Sequence, residues 1–346
     1  MQLFNRFAWC LVAVTSTITA CGGGESSPAP VAAPPPTSIT LELPHQDLVF
    51  DPTRQLYYAS ITSSNVLRGN RIVTLDRSGS IVATSEPVGS RPTTMAVAPD
   101  GASIYIGLRG TGELARYSLP GFALMSRLSL PRDSFSGQTY ADDISPSPTS
   151  PGVVVVSLTY DAARSPRYGG VVLVRDMVIQ PGTLSGFKGS NQLRFDRLGQ
   201  SIYGIDSEST SPSLRKIDQT SSGLREVLVR GEIGAMARWR IEVIQDLILV
   251  GGQAFAVGSF APRGSVEGAA VHCVSNSNGT QVACLSAPFG RILFAETTNF
   301  TRVGEVIFLQ DFSLAPFKLV AGPAGQVAAS ELGLGRIFFV NNESFR

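Results

Sequence analysis

Two adjacent carboxylates, Asp142 and Asp143, are the groups in this chain of 346 residues best suited to binding a ligand. They open a β-rich run, and two neighbouring acidic side chains cannot both be buried in an apolar core without a large desolvation cost. We therefore expect one of them to face a channel, where it holds a cation or pairs with Arg194 or Arg240. The alternative is an internal salt bridge that braces the fold.

The other candidate ligand-binding residues also lie at the beginning of β-rich runs. They bring both signs of charge, and they are His45, Asp47, Arg194, Arg238 and Arg240. For His45 the competing interpretation is an ordinary polar surface residue. Asp51, Asp100 and Asp196 are interpreted as turn residues that accept local backbone N–H bonds, and this interpretation also competes for Asp142 and Asp143.

The sequence lacks the groups that most enzymes and cofactor-binding proteins need. His45 and His272 are the only histidines and are far apart, so no cluster has the spacing of a zinc site. There is no Gly-x-Ser-x-Gly nucleophile motif, phosphate-binding loop or dinucleotide fingerprint. We therefore predict no catalytic residue, no metal and no cofactor. The formal net charge of +1 also gives no field that would attract nucleic acid.

The N-terminus predicts export. Met1–Arg6 carries one positive charge, and residues 7–18 are mostly apolar, a run too short for a membrane span of about 20 residues. An ordinary secretory signal would be cleaved after Ala20. The four residues that end at Cys21, Ile-Thr-Ala-Cys, resemble a bacterial lipobox, however, and this resemblance implies a lipid anchor on Cys21 at the mature N-terminus.

A tether and one folded domain follow the signal. Gly, Ser and Pro dominate residues 21–37, which cannot bury a core. The predicted organisation is a lipoprotein signal peptide at 1–20, a lipid-anchored tether at 21–37 and a β-rich domain at 38–346.

One pattern recurs along this domain at a spacing of 44 to 50 residues. An alternating apolar run ends in a turn rich in Asp, Pro or Gly, and a second β-rich run follows. The centres of the second runs are Tyr58, Tyr105, Val155, Tyr203, Leu249, Leu293 and Phe338. A unit of this length has room for about four short strands.

Seven such units around an axis predict an all-β fold, a seven-bladed β-propeller with four-stranded antiparallel blades. A β-sandwich would not keep so long a period, and the rungs of a parallel β-helix are much shorter. The last unit is short of strands, whereas Ser38–Leu43 is a spare strand before the first unit. We expect this N-terminal strand to close the ring by joining blade seven, in which Ile337–Val340 is the second or the third strand.

Cys273 and Cys284 are the cysteines that remain once the signal and the anchor are set aside, and export places them in an oxidising compartment. Asn278-Gly279 between them is a strong hairpin-turn signal. Counting outward from this turn puts the two cysteines opposite each other, within reach of a disulfide. Two buried free thiols are the alternative. If 282–285 is instead the first strand of blade six, the cysteine pair joins two blades.

Several segments resemble the surface and periplasmic seven-bladed propellers of the YVTN type. They are Leu48–Pro52, Leu56–Ser60, Arg71–Asp76, Pro87–Pro92 and Ala98–Gly107. The likeness extends over residues 40–346 and is strongest in the first two blades. It implies the propeller fold but leaves function open, because these propellers include binding modules and lactonase-like enzymes.

The tether, the charged fraction of only 16% and the lack of a catalytic cluster favour a non-catalytic binding or interaction module of the bacterial cell envelope. We expect a monomer, held at the membrane through Cys21, with its domain in the periplasm or at the cell surface. A protein or a small polar ligand would bind at the propeller axis, where the loops that lead into the innermost strands form a shallow funnel. The alternative function is a lactonase-like hydrolase or lyase with an axial polar site.

The anchor gives the first testable prediction. We expect Cys21 to be acylated, and the outer membrane to be the destination because Gly22, not aspartate, follows it. Two acyl chains hold a protein stably at a membrane, whereas one chain is marginal. Mass spectrometry of the mature N-terminal peptide measures the modification, and Cys21→Ser is the control that should leave the membrane fraction. An unmodified Cys21 in the mature protein would contradict the prediction.

Overall fold

The computed structural model of the protein describes residues 37–61, 63–134, 136–161, 167–185, 190–209, 211–231, 233, 239–269, 271–286, 290–308, 317–332 and 335–346. None of these residues is helical, so this part of the chain offers no helix that could cross a membrane. Its secondary structure consists of short strands that form seven separate antiparallel sheets. Each sheet is one blade of a propeller, as the repeat predicted.

The strands follow one another along the chain from blade to blade, after the N-terminal strand β1 (Thr37–Glu42). Blade one contains β2 (Asp47–Asp51), β3 (Leu56–Ser60), β4 (Ile72–Leu75) and β5 (Ile81–Thr84). Blade two contains β6 (Pro92–Val97), β7 (Ser103–Leu108), β8 (Glu113–Ser118) and β9 (Leu124–Ser129). Blade three contains β10 (Arg132–Asp133), β11 (Gly137–Pro146), β12 (Val153–Tyr160), β13 (Tyr168–Arg175) and β14 (Val178–Ile179).

The remaining blades repeat the same order. Blade four contains β15 (Gln192–Phe195), β16 (Ser201–Asp206), β17 (Ser213–Thr220) and β18 (Gly223–Gly231). Blade five contains β19 (Ile241–Ile244), β20 (Leu247–Val250), β21 (Gln253–Ala256) and β22 (Pro262–Ser265). Blade six contains β23 (Cys273–Ser275), β24 (Gln281–Ser286), β25 (Arg291–Glu296) and β26 (Arg302–Ile307). Blade seven contains β27 (Phe317–Ala321), β28 (Gln326–Glu331) and β29 (Arg336–Asn341).

The predicted closing strand is confirmed. Strand β1 pairs antiparallel with β29, with Ser38 opposite Val340 and Leu41 opposite Ile337, and becomes the outermost strand of blade seven. Residues 337–340 therefore belong to the third strand of this blade. Because blade seven takes strands from both ends of the domain, the ring is closed by backbone hydrogen bonds.

The innermost strands surround a single axis. We call β2, β6, β11, β15, β19, β23 and β27 the first strands, and each of them contacts the first strand of the next blade, with β27 contacting β2. We call the side on which they begin the upper face and the side on which they end the lower face. The turns that join first and second strands, such as 51–55 and 276–280, therefore lie on the lower face.

The core consists of seven apolar clusters, each between two consecutive blades. Tyr57 packs toward blade seven and Tyr58 toward blade two, because successive side chains of a strand point to opposite faces. Second strands such as β7 and β12 are consequently buried on both faces. The outer strands β5 and β22 are exposed throughout.

Two details of the predicted blades were wrong. Leu293 and Phe338 lie in third strands, so the repeat assigned to blades six and seven was displaced by one strand. The displacement arose because the apolar second and third strands of these blades look alike in sequence. Blade three also has a fifth strand, the two-residue β10, which pairs with the beginning of β11.

The predicted disulfide is confirmed within one hairpin. Cys273 on β23 lies directly opposite Cys284 on β24, with 4.0 Å between their Cα atoms, and the two are bonded. Strand β24 is the second strand of blade six, so the bond does not join two blades. Gly279 supplies the positive φ of 72° that the turn requires.

Loss of this disulfide should destabilise blade six. In the chain-entropy model a closed loop of this length contributes roughly 3 kcal/mol to the free energy of unfolding. We expect Cys273→Ser with Cys284→Ser to lower the stability by about that amount, as measured by denaturant unfolding. Thiol labelling of the denatured, unreduced wild-type protein should find neither cysteine free, and full labelling of both would rule the bond out.

Candidate ligand-binding site on the propeller axis

A polar residue lies in each first strand or directly before it, immediately ahead of a buried apolar residue or Cys273. The seven members of this upper ring are Asp47, Thr94, Asp143, Gln192, Arg240, His272 and Lys318. Asp47 and Asp143 occupy equivalent places because their partners on the second strands are Ser60 and Ser157. Two residues further along each strand is the lower ring: Val49, Ala96, Ser145, Arg194, Glu242, Val274 and Val320.

Asp47 joins three blades. One carboxylate oxygen accepts a hydrogen bond from the backbone N–H of Met95 on blade two at 2.8 Å. The other accepts from Lys318 Nζ on blade seven at 2.6 Å. A first strand is the inner edge of its sheet and leaves N–H groups without a strand partner, so a carboxylate from the neighbouring blade satisfies one of them.

Asp143 repeats this contact two seams further on, between blades three and four. Its Oδ2 atom accepts the backbone N–H of Leu193 at 2.8 Å and an N–H of Arg194 at 2.9 Å, both on blade four. The opposite serine of each blade adds a second bond, because Ser60 donates to the carbonyl of Thr93 and Ser157 to that of Ser190. For Asp143 this geometry agrees with the interpretation of an interblade brace.

His272 makes the third contact of this kind. Its Nδ1 atom accepts the backbone N–H of Leu319 on blade seven at 3.0 Å. Burial lowers the pKa of His272 well below 6.5, and the nearby Arg240, Arg194 and Lys318 lower it further, so the ring is neutral. We call these contacts of Asp47, Asp143 and His272 the interblade braces.

The arginines of the axis link blades four and five. Arg194 pairs with Asp143 and lies 3.6 Å from Glu242 on the next blade. Arg240 donates to the side-chain oxygen of Gln192 at 3.1 Å, and no carboxylate of the described residues forms an ion pair with it. Burial lowers the pKa of Arg240 and raises that of Glu242. In the lower ring the charged side chains, Arg194 and Glu242, therefore lie on blades four and five, opposite the valines of blades six, seven and one.

A cavity of about 310 Å³ occupies the axis and opens to the lower face. Its wall includes Phe50, Arg194, Glu242, His272, Val274 and Lys318. These residues come from blades one, four, five, six and seven, which meet only at the axis. Two further lower-face cavities, of about 370 and 450 Å³, share Ser275 with it, so the three form one funnel.

The funnel lies on the face opposite the predicted one. The sequence placed a ligand at the loops that lead into the first strands. Arg238, one of the residues named there, lies outside the described residues, so that expectation stays a prediction. The described residues contain no group of three or more His, Cys, Asp or Glu side chains able to hold a metal ion.

Asp142 differs from its neighbour Asp143. It lies in a bulge of β11, where the pairing with β12 skips one residue. Burial raises its pKa to about 7, and Glu208 and Asp143 add to the rise, while Arg167 and Arg240 oppose it. Asp142 is thus the carboxyl group near the axis whose charge changes around neutral pH.

His45 is neither a surface residue nor a channel residue. It is buried between blades one and seven, with Nδ1 2.7 Å from the carbonyl of Leu43 and Nε2 2.6 Å from Ser330 Oγ. Burial lowers its pKa, so the ring serves as a neutral structural bridge. The surface interpretation was wrong because sequence alone did not reveal the Ser330 partner. Asp51, Asp100 and Asp196 do accept backbone N–H bonds in their turns, as predicted.

Sequence reasoning missed His272, Lys318 and Glu242 as axial residues. The signal that would have found them is a polar residue at the same strand position of every unit. It was hidden in blades six and seven, where the assigned repeat was one strand too late and took His272 and Lys318 out of register. In blade five the two-residue turn at 245–246 is shorter than the other lower-face turns.

The two adjacent carboxylates should respond differently to substitution. Asp143→Ala removes the ion-pair partner of Arg194 and the side-chain acceptor of the Leu193 N–H, so we expect the free energy of unfolding to fall by about 3 kcal/mol. Asp142 binds a proton more tightly when folded, because its pKa rises from 3.8 to about 7. Ionisation of Asp142 therefore lowers the free energy of unfolding as the pH increases from about 4 to about 7.

Asp142→Asn removes this dependence and should be neutral or stabilising at pH 8. Urea unfolding of both variants at pH 5 and pH 8 measures the difference. Equal losses of stability in Asp142→Asn and Asp143→Ala would contradict the assignment.

Comparisons with known proteins extend only to the fold. No family model matches the sequence, and no curated protein matches it. Solved structures similar to this chain include the β-propeller domain of Cps50 (Swd1) from Myceliophteria thermophila, with 11% identity, a TM-score of 0.64, and coverage of 88% of this chain and 98% of that one. Hydrazine synthase of Kuenenia stuttgartiensis has 13% identity and a TM-score of 0.65, with coverage of 88% of this chain and 97% of that one. A mitotic checkpoint complex has 12% identity and a TM-score of 0.65, with coverage of 96% of this chain and 99% of that one. At such identities they establish that this chain has a β-propeller fold.

Proposed function

We propose that the protein is a non-catalytic binding module of the bacterial cell envelope, and that its ligand or partner docks in the lower-face funnel. The observation that carries this proposal is the axial cavity of about 310 Å³, whose wall comes from five blades. Its size falls in the range of small-molecule sites, and it combines apolar walls with a few polar groups.

The state of the axial carboxylates supports binding over catalysis. Asp47 and Asp143 are held by backbone N–H groups and by the cations Lys318 and Arg194. Carboxylate oxygens that already accept hydrogen bonds in this way are less available to contact a substrate. These residues brace neighbouring blades, whereas His272, in the cavity wall, keeps a ring nitrogen without a hydrogen-bond partner among the described residues.

Envelope anchoring is supported by the sequence. The lipobox-like residues before Cys21 and the Gly, Ser and Pro-rich tether at 21–37 would hold the propeller away from a membrane. Cys21 lies outside the described residues. The resemblance of blades one and two to YVTN-type propellers of the surface and periplasm favours the same location, with the outer membrane as the site of attachment.

One observation favours a second function, a lactonase-like hydrolase or lyase. Asp142 has a pKa of about 7 and lies next to Asp143 near Arg240. A carboxyl group that titrates near neutral pH can transfer protons in general acid–base catalysis. This function predicts that Asp142→Asn abolishes turnover of a lactone substrate without changing the fold.

A ligand-observed NMR screen of small metabolites tests the binding proposal. Ser275 borders all three lower-face cavities, so Ser275→Trp should abolish the binding of the compounds that the wild type retains. Ser129→Trp, on the exposed outer strand β9, is the matched control and should bind as the wild type does.

Two results would contradict the proposal. Binding that is indifferent to Ser275→Trp would remove the lower-face site. Consumption of a bound lactone during the screen, abolished by Asp142→Asn, would replace the binding module with the enzyme.

A further inference from the structure

His272 has a hydrogen-bond donor that nothing in the described part of the chain accepts. A backbone N–H can only donate, so the bond from Leu319 N–H fixes Nδ1 as the acceptor. The neutral ring therefore carries its proton on Nε2. That atom is buried and has no hydrogen-bond partner.

A buried donor without an acceptor is costly, and the Nε2–H donor plays no part in the brace, which uses Nδ1. Asp47 and Asp143 accept the equivalent backbone N–H with a carboxylate and leave no orphan donor behind. Burying Nε2–H without a partner costs the desolvation of a polar group. In blade six this donor belongs to a side chain that borders the axial cavity. The arrangement points to an acceptor atom that arrives with a ligand.

The charges around His272 indicate which kind of acceptor this is. The charged groups that lower its pKa are Arg240, Arg194 and Lys318, all of them cations. Arg194 and Lys318 contact carboxylates, but Arg240 is hydrogen-bonded to the neutral amide of Gln192. An anionic oxygen is therefore favoured over a neutral one at Nε2.

The nearby acids do not cancel this preference. Asp47 and Asp143 are directed into the braces, where both oxygens of Asp47 and Oδ2 of Asp143 already accept hydrogen bonds. Burial raises the pKa of Glu242 and of Asp142, so the axis resists further negative charge from these two residues. Two carboxyl groups with raised pKa values weaken the negative field that a bound anion would meet.

The rest of the wall selects an apolar body for this anion. Val49, Val274 and Val320 border the cavity on the side of blades one, six and seven, and Phe50 lies nearer the lower face. A molecule with a charged head at His272 and a hydrocarbon portion toward the lower face would match both parts. A volume of about 310 Å³ limits it to a small compound.

We propose that the axial cavity binds the carboxylate of a small amphiphilic acid, with His272 Nε2–H as the hydrogen-bond donor and Arg240 as the counter-charge. The proposal rests on the lower-face binding site proposed above and names its ligand class. The apolar chain of the acid packs against the three valines. Binding adds no covalent step and requires no cofactor.

Sodium butanoate is the probe, and butanamide is its uncharged isostere. Saturation-transfer NMR titrations use the full-length protein in detergent, with empty detergent micelles subtracted. We expect butanoate to bind and butanamide to bind at least about tenfold more weakly, the difference expected for a charge-assisted hydrogen bond.

Two substitutions at His272 separate the donor from the brace. His272→Asn keeps an oxygen to accept Leu319 N–H but has no donor at the Nε2 position, so affinity should fall about tenfold or more. His272→Asp copies the braces of blades one and three and adds a negative charge, so binding should disappear while the melting temperature stays close to that of the wild type.

Arg240→Gln tests the counter-charge, and Arg263→Gln, on the exposed edge strand β22, is the control of equal charge change. We expect only the first to weaken butanoate binding. Equal binding of butanoate and butanamide, unchanged affinity in His272→Asn, or no butanoate binding at all would overturn the carboxylate assignment. In each case the binding-module proposal stands if other compounds still respond to Ser275→Trp, and it falls separately if none does.

Discussion

The axis depends on one interaction, the hydrogen bond that a backbone N–H of one first strand donates to an upper-ring side chain of the preceding blade. Each first strand is the inner edge of a sheet, and an N–H group buried there without an acceptor would cost free energy. Asp47, Asp143 and His272 each supply an acceptor to the next blade. The apolar clusters between blades bury more surface, but apolar packing does not fix the orientation of one blade relative to the next. The braces do, because a hydrogen bond requires a defined distance and angle.

The residue type that accepts this hydrogen bond then determines which hydrogen-bonding groups are left free for a ligand. Aspartate satisfies the neighbouring N–H and also attracts a cation, which is why Lys318 and Arg194 lie beside the axis. Histidine satisfies the same N–H with one nitrogen and carries a proton on the other. Aspartates alone could brace the blades, but an ionised carboxylate offers a ligand no hydrogen-bond donor. The imidazole of His272 keeps one donor, Nε2–H, without a partner among the described residues.

The sequence predicted the parts of this architecture that depend on period and pattern. Alternating apolar runs and turn residues are set by the strand geometry of each blade, so the seven blades, the closing strand and the Cys273–Cys284 pair could be inferred without coordinates. The predicted pairing of Asp143 with Arg194 agrees with the structure, because the repeat register was correct in blades three and four. His272 and Lys318 were not recognised as axial residues. A polar residue before an apolar run is common, and the repeat was assigned one strand too late in blades six and seven.

The side of the axis on which a ligand binds depends on tertiary geometry that no local pattern records. Loops before the first strands and turns after them both converge on the axis, and both contain polar residues. The lower-face turns differ in length, and the two-residue turn of blade five at 245–246 borders the funnel. Arg194 and Glu242 form one side of the cavity, and Val49, Val274 and Val320 form the other. A symmetric ring would present the same surface in seven orientations, whereas this asymmetry favours the orientation in which an apolar part of a bound molecule contacts the valines and a polar part faces blades four and five.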